Sequence, residues 1–209
     1  MKRVLILFAL AGALAGAQSL SVTVSPAQVW PGQSVTATIA FSDSSPSSGI
    51  AAFGGTVATT PTTLTPGTLA LGAAATAAVK AITVNGAAFI LAGSSTLNDT
   101  VIGSGALLTV PIAIPASTKP QSATVSVSSP AAATSAGGPV TLTATSGAFS
   151  ICSVYAITGD CTAAIADVLA MISDALHGTC TGQAANVGDG KCGLDDVELE
   201  IEAALGKIS

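Results

Sequence analysis

Seven residues in the last third of this chain recur at one constant displacement. Gly159-Asp160, Asp167-Val168, Ile172 and Ala175-Leu176 return 29 positions later as Gly188-Asp189, Asp196-Val197, Ile201 and Ala204-Leu205. Such a duplication denotes two copies of one supersecondary unit, neither of which can bury its apolar face alone. In each copy a loop is followed by a helical pattern. Val168, Ile172, Ala175 and Leu176 stand at i, i+4, i+7 and i+8, as do their four counterparts, so each helix carries one apolar stripe. Gly178 and Gly206 stop the helices on the C′ side. Helices this short are marginal in isolation, so the two stripes are expected to face each other or a partner.

The duplicated segment also differs in chemistry from what precedes it. From Ile151 onward there are nine acidic residues against Lys191 and Lys207, a net charge of −7. Between Gln18 and Ser150 the only charges are Asp43, Lys80, Asp99 and Lys119. All four cysteines, Cys152, Cys161, Cys180 and Cys192, lie in the acidic segment. A boundary near Phe149 to Cys152 follows. At the other end, Met1-Lys2-Arg3 is basic, Val4 to Leu14 is an apolar run, and Ala15-Gly16-Ala17 is a small-x-small cleavage site before Gln18. That order is a secretory signal peptide over 1–17 rather than a membrane span, because the apolar run meets Gln18 and Ser19 too soon. The expected product is secreted, with no membrane span in the mature chain. In that compartment four cysteines are expected to be oxidised. Three pairings are open, and the local one, Cys152 with Cys161 and Cys180 with Cys192, repeats the duplication.

Residues 18–151 alternate at period two. Leu20, Val22 and Val24; Val35, Ala37, Ile39 and Phe41; Leu108, Val110, Ile112 and Ile114; Val125 and Val127; and Val140, Leu142 and Ala144 are each separated by Thr, Ser or other small residues. This is the pattern of half-buried antiparallel strands. Asn85-Gly86 predicts a tight hairpin with both residues at positive φ. Pro31-Gly32, Pro46, Pro66-Gly67 and Gly137-Gly138-Pro139 mark further turns. Eight or nine short strands so spaced predict a sandwich, with Phe41, Phe53, Phe89 and Phe149 in its core. Leu69 to Val79 is Ala-rich and reads as either strand or helix.

The opening Leu20-Ser-Val-Thr-Val-Ser-Pro, the turn and strand Pro31-Gly32-Gln-Ser-Val-Thr-Ala-Thr-Ile, and the run Gly103-Ser-Gly-Ala-Leu-Leu-Thr-Val-Pro-Ile resemble strands of cohesin modules. Generic immunoglobulin-like sandwiches share them. The repeat over 152–209 resembles the dockerin module, whose two calcium loops each lead into a helix. The chain is thus expected to be mainly β, an antiparallel cohesin/immunoglobulin-like β-sandwich followed by a small two-helix dockerin-like module. If Asp167 and Asp196 are taken as loop position 12, position 5 is Asp160 or Asp189, and the turn-forming Gly at position 6 is present as Gly190 but replaced by Cys161 in the first copy. Positions 1 and 3 are Ala156 and Thr158, then Ala185 and Val187, so acidic ligands are missing there. Asp160, Asp167, Asp189 and Asp196 therefore form degenerate calcium loops. They imply weak calcium binding at most and no other cofactor. The competing reading is that Asp167 and Asp196 complement the helix dipoles.

No catalytic constellation emerges. His177, the single histidine, sits beside the helix stop at Gly178, and Asp43 and Asp99 are isolated, which makes a glycosidase pair improbable. An acidic chain with no basic patch argues against nucleic acid. Asn98-Asp99-Thr100 matches a glycosylation sequon. The reading is an extracellular, non-catalytic component of cellulosome-like assembly or adhesion with a cohesin- or dockerin-type protein partner, which Leu169, Met171, Glu198, Leu199 and Glu202 are expected to contact. The alternative is a carbohydrate-binding sandwich associated with polysaccharide degradation, for which the available aromatics are few beyond Trp30 and Tyr155.

Overall fold

The computed structural model describes residues 18–43, 49–93 and 99–208. The expected signal peptide and Asn98 of the sequon lie outside the described residues. One sheet holds β1 (Gln18–Ser25), β3 (Ser34–Asp43), β5 (Thr65–Pro66), β6 (Ala70–Leu71), β9 (Gly105–Ala113) and β12 (Thr143–Thr145), in the order β12-β1-β3-β9-β5 with β6 also on β9. The other holds β2 (Gln28–Val29), β4 (Ile50–Thr60), β7 (Lys80–Asn85), β8 (Ala88–Gly93), β10 (Gln121–Thr134), β11 (Pro139–Val140) and β13 (Gly147–Ile151), in the order β2-β13-β10-β4-β8-β7 with β11 on β10. Most neighbours are antiparallel, but β12 runs parallel to β1 and β13 parallel to β2. The last strands of the sandwich therefore pair with its first.

The alternating residues meet in register. Leu20 opposes Phe41, Val22 opposes Ile39, Ile39 opposes Leu108 and Val35 opposes Ile112, and all of them are buried. On the second sheet Val57 opposes Val127 and Phe53 opposes both Ala132 and Leu91. Phe41, Phe53, Phe89 and Phe149 are core residues, and Phe41 and Phe53 meet edge to face with ring centroids 4.9 Å apart. Between β11 and β12 the chain leaves one sheet for the other, with Leu142 buried at the crossing. Gly147 then starts β13 where any Cβ would lie 2.7 Å from the Val22 carbonyl oxygen, so only glycine lets the two backbones approach.

Two local expectations shift. The hairpin turn is Gly86-Ala87 rather than Asn85-Gly86, because Asn85 pairs with Ala88 and Gly86 alone takes positive φ, at 61°. A glycine in the first central position suits the primed turn whose second residue has ordinary φ. The ambiguous Ala-rich stretch divides between β6 and a five-residue helix α1 (Ala73–Ala77) packed on β9. Asp99 is also less isolated than its neighbours suggest. It lies near Lys80, a buried lysine whose ammonium is pushed below its usual pKa by burial, with Asp99 pulling the other way.

After β13 come α2 (Ile165–His177), a 3-10 segment Gly182–Asn186, and α3 (Leu194–Ala204). Their core is a second, smaller apolar cluster of Met171, Ala184, Val187 and Cys192. No helix among the described residues is long and apolar enough to cross a membrane.

Candidate interaction site

Each repeat begins with a loop closed by a cystine. Cys152 is bonded to Cys161 and Cys180 to Cys192, spanning 9 and 12 residues, and no cysteine is left free. Cys161 and Cys192 both adopt positive φ, at 73° and 49°, a conformation uncommon for side chains other than glycine.

Inside these loops the four acids divide into two kinds. Asp167 and Asp196 are buried at the third position of their helices. Asp167 Oδ2 accepts the Ala164 N–H at 2.9 Å, while its Oδ1 accepts the Thr158 N–H at 2.7 Å and the Thr158 hydroxyl at 2.8 Å. Asp196 Oδ2 accepts the Gly193 N–H at 2.8 Å, and its Oδ1 presses so close to Gly188 that a Cβ there would collide with it. Both carboxylates thus return to the backbone ahead of their own helix, satisfying orphan N–H donors at the positive end of the dipole. Asp160 and Asp189, in contrast, are exposed. Each accepts the N–H two residues ahead, from Thr162 and Lys191, at 3.0 Å, and Asp189 also pairs with Lys191 Nζ at 3.7 Å.

The first repeat thus holds Asp160 exposed and Asp167 buried, and the second Asp189 exposed and Asp196 buried. Among the described residues no three His, Cys, Asp or Glu side chains are grouped to hold a metal ion. Calcium would need free oxygen ligands, whereas the buried carboxylates are directed at N–H donors. Each loop thus keeps two acidic side chains, of which the buried one is engaged by backbone N–H groups. The side chains at the missing positions contribute little, since Thr158 is engaged with Asp167, and Ala156, Ala185 and Val187 carry no side-chain oxygen.

The helix ends follow the expected stops. Gly178 takes φ 63° and Gly206 φ 70°, and the N–H groups of Thr179 and Lys207 reach back to the carbonyls of Asp174 and Glu202. His177 Nδ1 lies 2.7 Å from the Ser173 carbonyl on the exposed end of α2.

The buried arc of each helix is displaced by one residue from the repeated stripe. Buried are Asp167 and Met171 on α2, and Asp196, Glu200 and Ala203 on α3. Of the stripe itself, Ile172, Leu176, Ile201 and Leu205 are exposed and Val168, Ala175, Val197 and Ala204 half-buried, and residues beside it are exposed as well. Leu176 is 81% exposed, Leu194 84% and Leu205 66%, with Ile165, Leu169, Ile172 and Ile201 also exposed. Ile172, Ala175, Leu176, Gly193, Leu194 and Val197 line an apolar groove of about 160 Å³ between the helices. The stripes therefore meet only in part, with Val197 packed against the module's core and Leu176 left in solvent. One residue along a helix is a rotation of about 100°, enough to turn a core face into a surface.

Two of the expected partner contacts are corrected by the same rotation. Met171 is 0% exposed and belongs to the module's own core, and Leu199 is half-buried against that core. Leu169 and Glu198 are exposed and Glu202 half-exposed. Glu200 gave no sequence signal. It stands at the repeat position that Met171 fills in the first copy, is fully buried, and neither carboxylate oxygen has a hydrogen-bond partner. Burial, aided by the negative charge of Asp167, pushes its carboxyl up to about 7.

No family model matches the sequence. No curated protein matches it either. Solved structures do share its fold. The sixth cohesin of scaffoldin B from Acetivibrio cellulolyticus, solved in complex with a mutant dockerin, is 24% identical with a TM-score of 0.52, covering 65% of this chain and 99% of that one. A type I cohesin–dockerin complex from Clostridium thermocellum matches at 15% identity and TM-score 0.52, over 64% of this chain and 99% of that one. The third cohesin of ScaC from Acetivibrio cellulolyticus, in complex with a dockerin, matches at 17% identity and TM-score 0.51, again over 64% and 99%. At these identities the likeness is one of fold. The sandwich is cohesin-like.

Proposed function

We propose that this protein is an extracytoplasmic, non-catalytic interaction component, in which a cohesin-like sandwich carries a cystine-locked helix pair that docks on a protein partner. The observation that carries this reading is the exposed stripe. Two helices from a duplicated unit hold Ile165, Leu169, Ile172, Leu176, Leu194, Ile201 and Leu205 in water, while their buried arcs contain three carboxylates. Contiguous exposed apolar side chains rimmed by charge are characteristic of interaction surfaces. Burying one large side chain of this kind contributes roughly 1.5–3 kcal/mol before the costs of association. Leu169 belongs to this surface, and Glu198 and Glu202, exposed and half-exposed on α3, supply charge beside it.

The partner of the helix pair is a cohesin-type sandwich, on the resemblance of residues 152–209 to dockerins; the solved neighbours match the sandwich instead, and were themselves solved with dockerins. The chain's own sandwich offers a second, receiving surface on the outside of its β10-β4-β8 sheet. There Ile90 is 60% exposed beside a shallow apolar trough formed with Ala52, Gly54, Ala131 and Ala133. The loops work without calcium, their conformation being held by the two cystines and by the Asp167 and Asp196 caps.

Isothermal titration of residues 18–209 against a panel of cohesin modules tests the reading. Binding is expected for at least one module, and it should be lost when Ile172 and Ile201, both already exposed, are changed together to Asp. Equal binding by the unaltered and doubly substituted proteins, or none to any module, overturns it.

A further inference from the structure

A crevice separate from the helix stripe lies between the sandwich and the C-terminal segment, and no charged side chain lines it. It has a volume of about 410 Å³ and is lined by Trp30, Pro31, Gln33 and Ala116 of the sandwich together with Val154, Gln183 and Asn186 of the C-terminal segment. It continues through a hollow of about 150 Å³ that shares Pro31, Ala116 and Val154, into a third of about 400 Å³ along Ser117 to Gln121. The result is an elongated groove whose first compartment falls in the volume range of small-molecule sites.

We propose that this groove binds a neutral oligosaccharide, with one sugar ring against Trp30 and its hydroxyls on the carboxamides of Gln33, Gln183 and Asn186. A pyranose combines an apolar C–H face with a rim of hydroxyls that donate and accept at once. The groove presents the complementary set. The indole supplies an apolar surface, and the three carboxamides together supply donors and acceptors, with Gln33 Oε1 also accepting the Trp30 backbone N–H at 3.4 Å. Asn186 Nδ2 donates to Gln183 Oε1 at 2.8 Å, which orients both amides and leaves the Gln183 N–H groups and the Asn186 oxygen for a ligand.

The indole is not held by its own protein. Trp30 Nε1 is buried and has no acceptor. An unsatisfied buried donor calls for an explanation, and a small turn of the ring toward a bound hydroxyl provides one. Other ligand classes fit less well. No acidic side chain lines the groove to hold a cation, and Lys119 at its far end is the single base, which is too little for a polyanion. A peptide strand would need a sheet edge, but β2 beside Trp30 has only two residues. The site is also assembled across the chain. The Val29 carbonyl just before Trp30 accepts the Cys152 N–H at 2.8 Å, so the turn carrying the indole is tied to the first cystine of the helical segment.

Trp30 is the only tryptophan, so its emission reads the site directly. Residues 18–209 are titrated with cellohexaose, xylohexaose and mannohexaose, each to about 10 mM, a range that captures weak single-site binding. A saturable emission change is expected with at least one of them. The Gln183→Ala/Asn186→Ala variant should raise its Kd by about tenfold or more, as loss of paired polar contacts does. The Ile172→Asp/Ile201→Asp variant should leave it unchanged, which separates this site from the docking surface. Failure of all three sugars to saturate overturns the proposal. So does a saturable change that the Gln183/Asn186 variant leaves intact, or saturation by decaproline alone.

Discussion

In the sandwich the core positions are filled by Val, Ile, Leu, Phe and Ala, whereas in the helix pair three of the five buried helix positions, Asp167, Asp196 and Glu200, are carboxylates. The sandwich derives its stability from one continuous apolar core shared by both sheets. The helix pair has four core residues, and it relies on two cystines and on carboxylates that tie the loops to the helix starts. A module too small to build a sufficient core commonly adds covalent links. With its loops locked in this way, the apolar residues of the repeat are released from packing and remain available on the surface.

Four experiments break or sharpen this contrast. Leu108→Ala, at a fully buried position opposite Ile39, should cost the sandwich about 2–5 kcal/mol. Hydrogen exchange should then rise across β3 and β9 with little change in α2 and α3. A uniform rise would mean the two regions unfold as one unit. Replacing Cys180 and Cys192 with Ser is the converse. It should cost the helix pair roughly 2–4 kcal/mol and raise exchange in α3, with the strands unaffected.

Glu200 supplies a third test, with a stabilising sign. Its folded pKa of about 7 lies above the ordinary value of 4.5, so the unfolded chain releases this proton first as pH rises. The helix pair should be most stable below about pH 4.5 on account of this group, lose stability between about 4.5 and 7, and level off above that. Glu200→Met, which copies the residue at the equivalent position of the first repeat, should remove that slope. At pH 8 it should stabilise by on the order of 3 kcal/mol, measured by denaturant titration followed at 222 nm. A variant that is less stable at pH 8 would show that the carboxylate has a partner. The smallest effect should come from calcium. At about 5 mM it should shift helix melting by less than about 1 °C relative to chelator, because each loop keeps only two acidic side chains and an ion stabilises only as far as it binds the native state.

Period-two alternation located the sandwich core well, because burying one face leaves no choice of register: Val110 and Ile112 could not slip by one residue without facing water. The hairpin at Gly86 moved by one position because Asn-Gly is only a preference, and the pairing of Asn85 with Ala88 prevailed. The helices were harder to orient. Their apolar stripe was legible, but its direction was not, since helical periodicity reports which residues share a face and not whether that face is covered. Met171 and Glu200 occupy the same place in two copies of one unit, and their shared burial is visible only once both helices are packed. The Trp30 groove was beyond any motif, because it combines a turn at 30–33, a loop at 115–121 and a short 3-10 segment at 182–186.

The pairing of the last strands with the first has a consequence for how the protein is made. Ser19 lies beside Thr143 and Gln28 beside Ser150, contacts between residues more than a hundred positions apart. Contacts so distant in sequence slow closure: β1 can pair with β3 early, but its other edge, and β2, wait for partners until almost the whole sandwich has been delivered. β13 ends at Ile151, and Cys152 is the next residue. Arrival of the final strand and alignment of the first thiol pair are therefore nearly the same event, and oxidation there would act as a late clasp on a sandwich that has just closed.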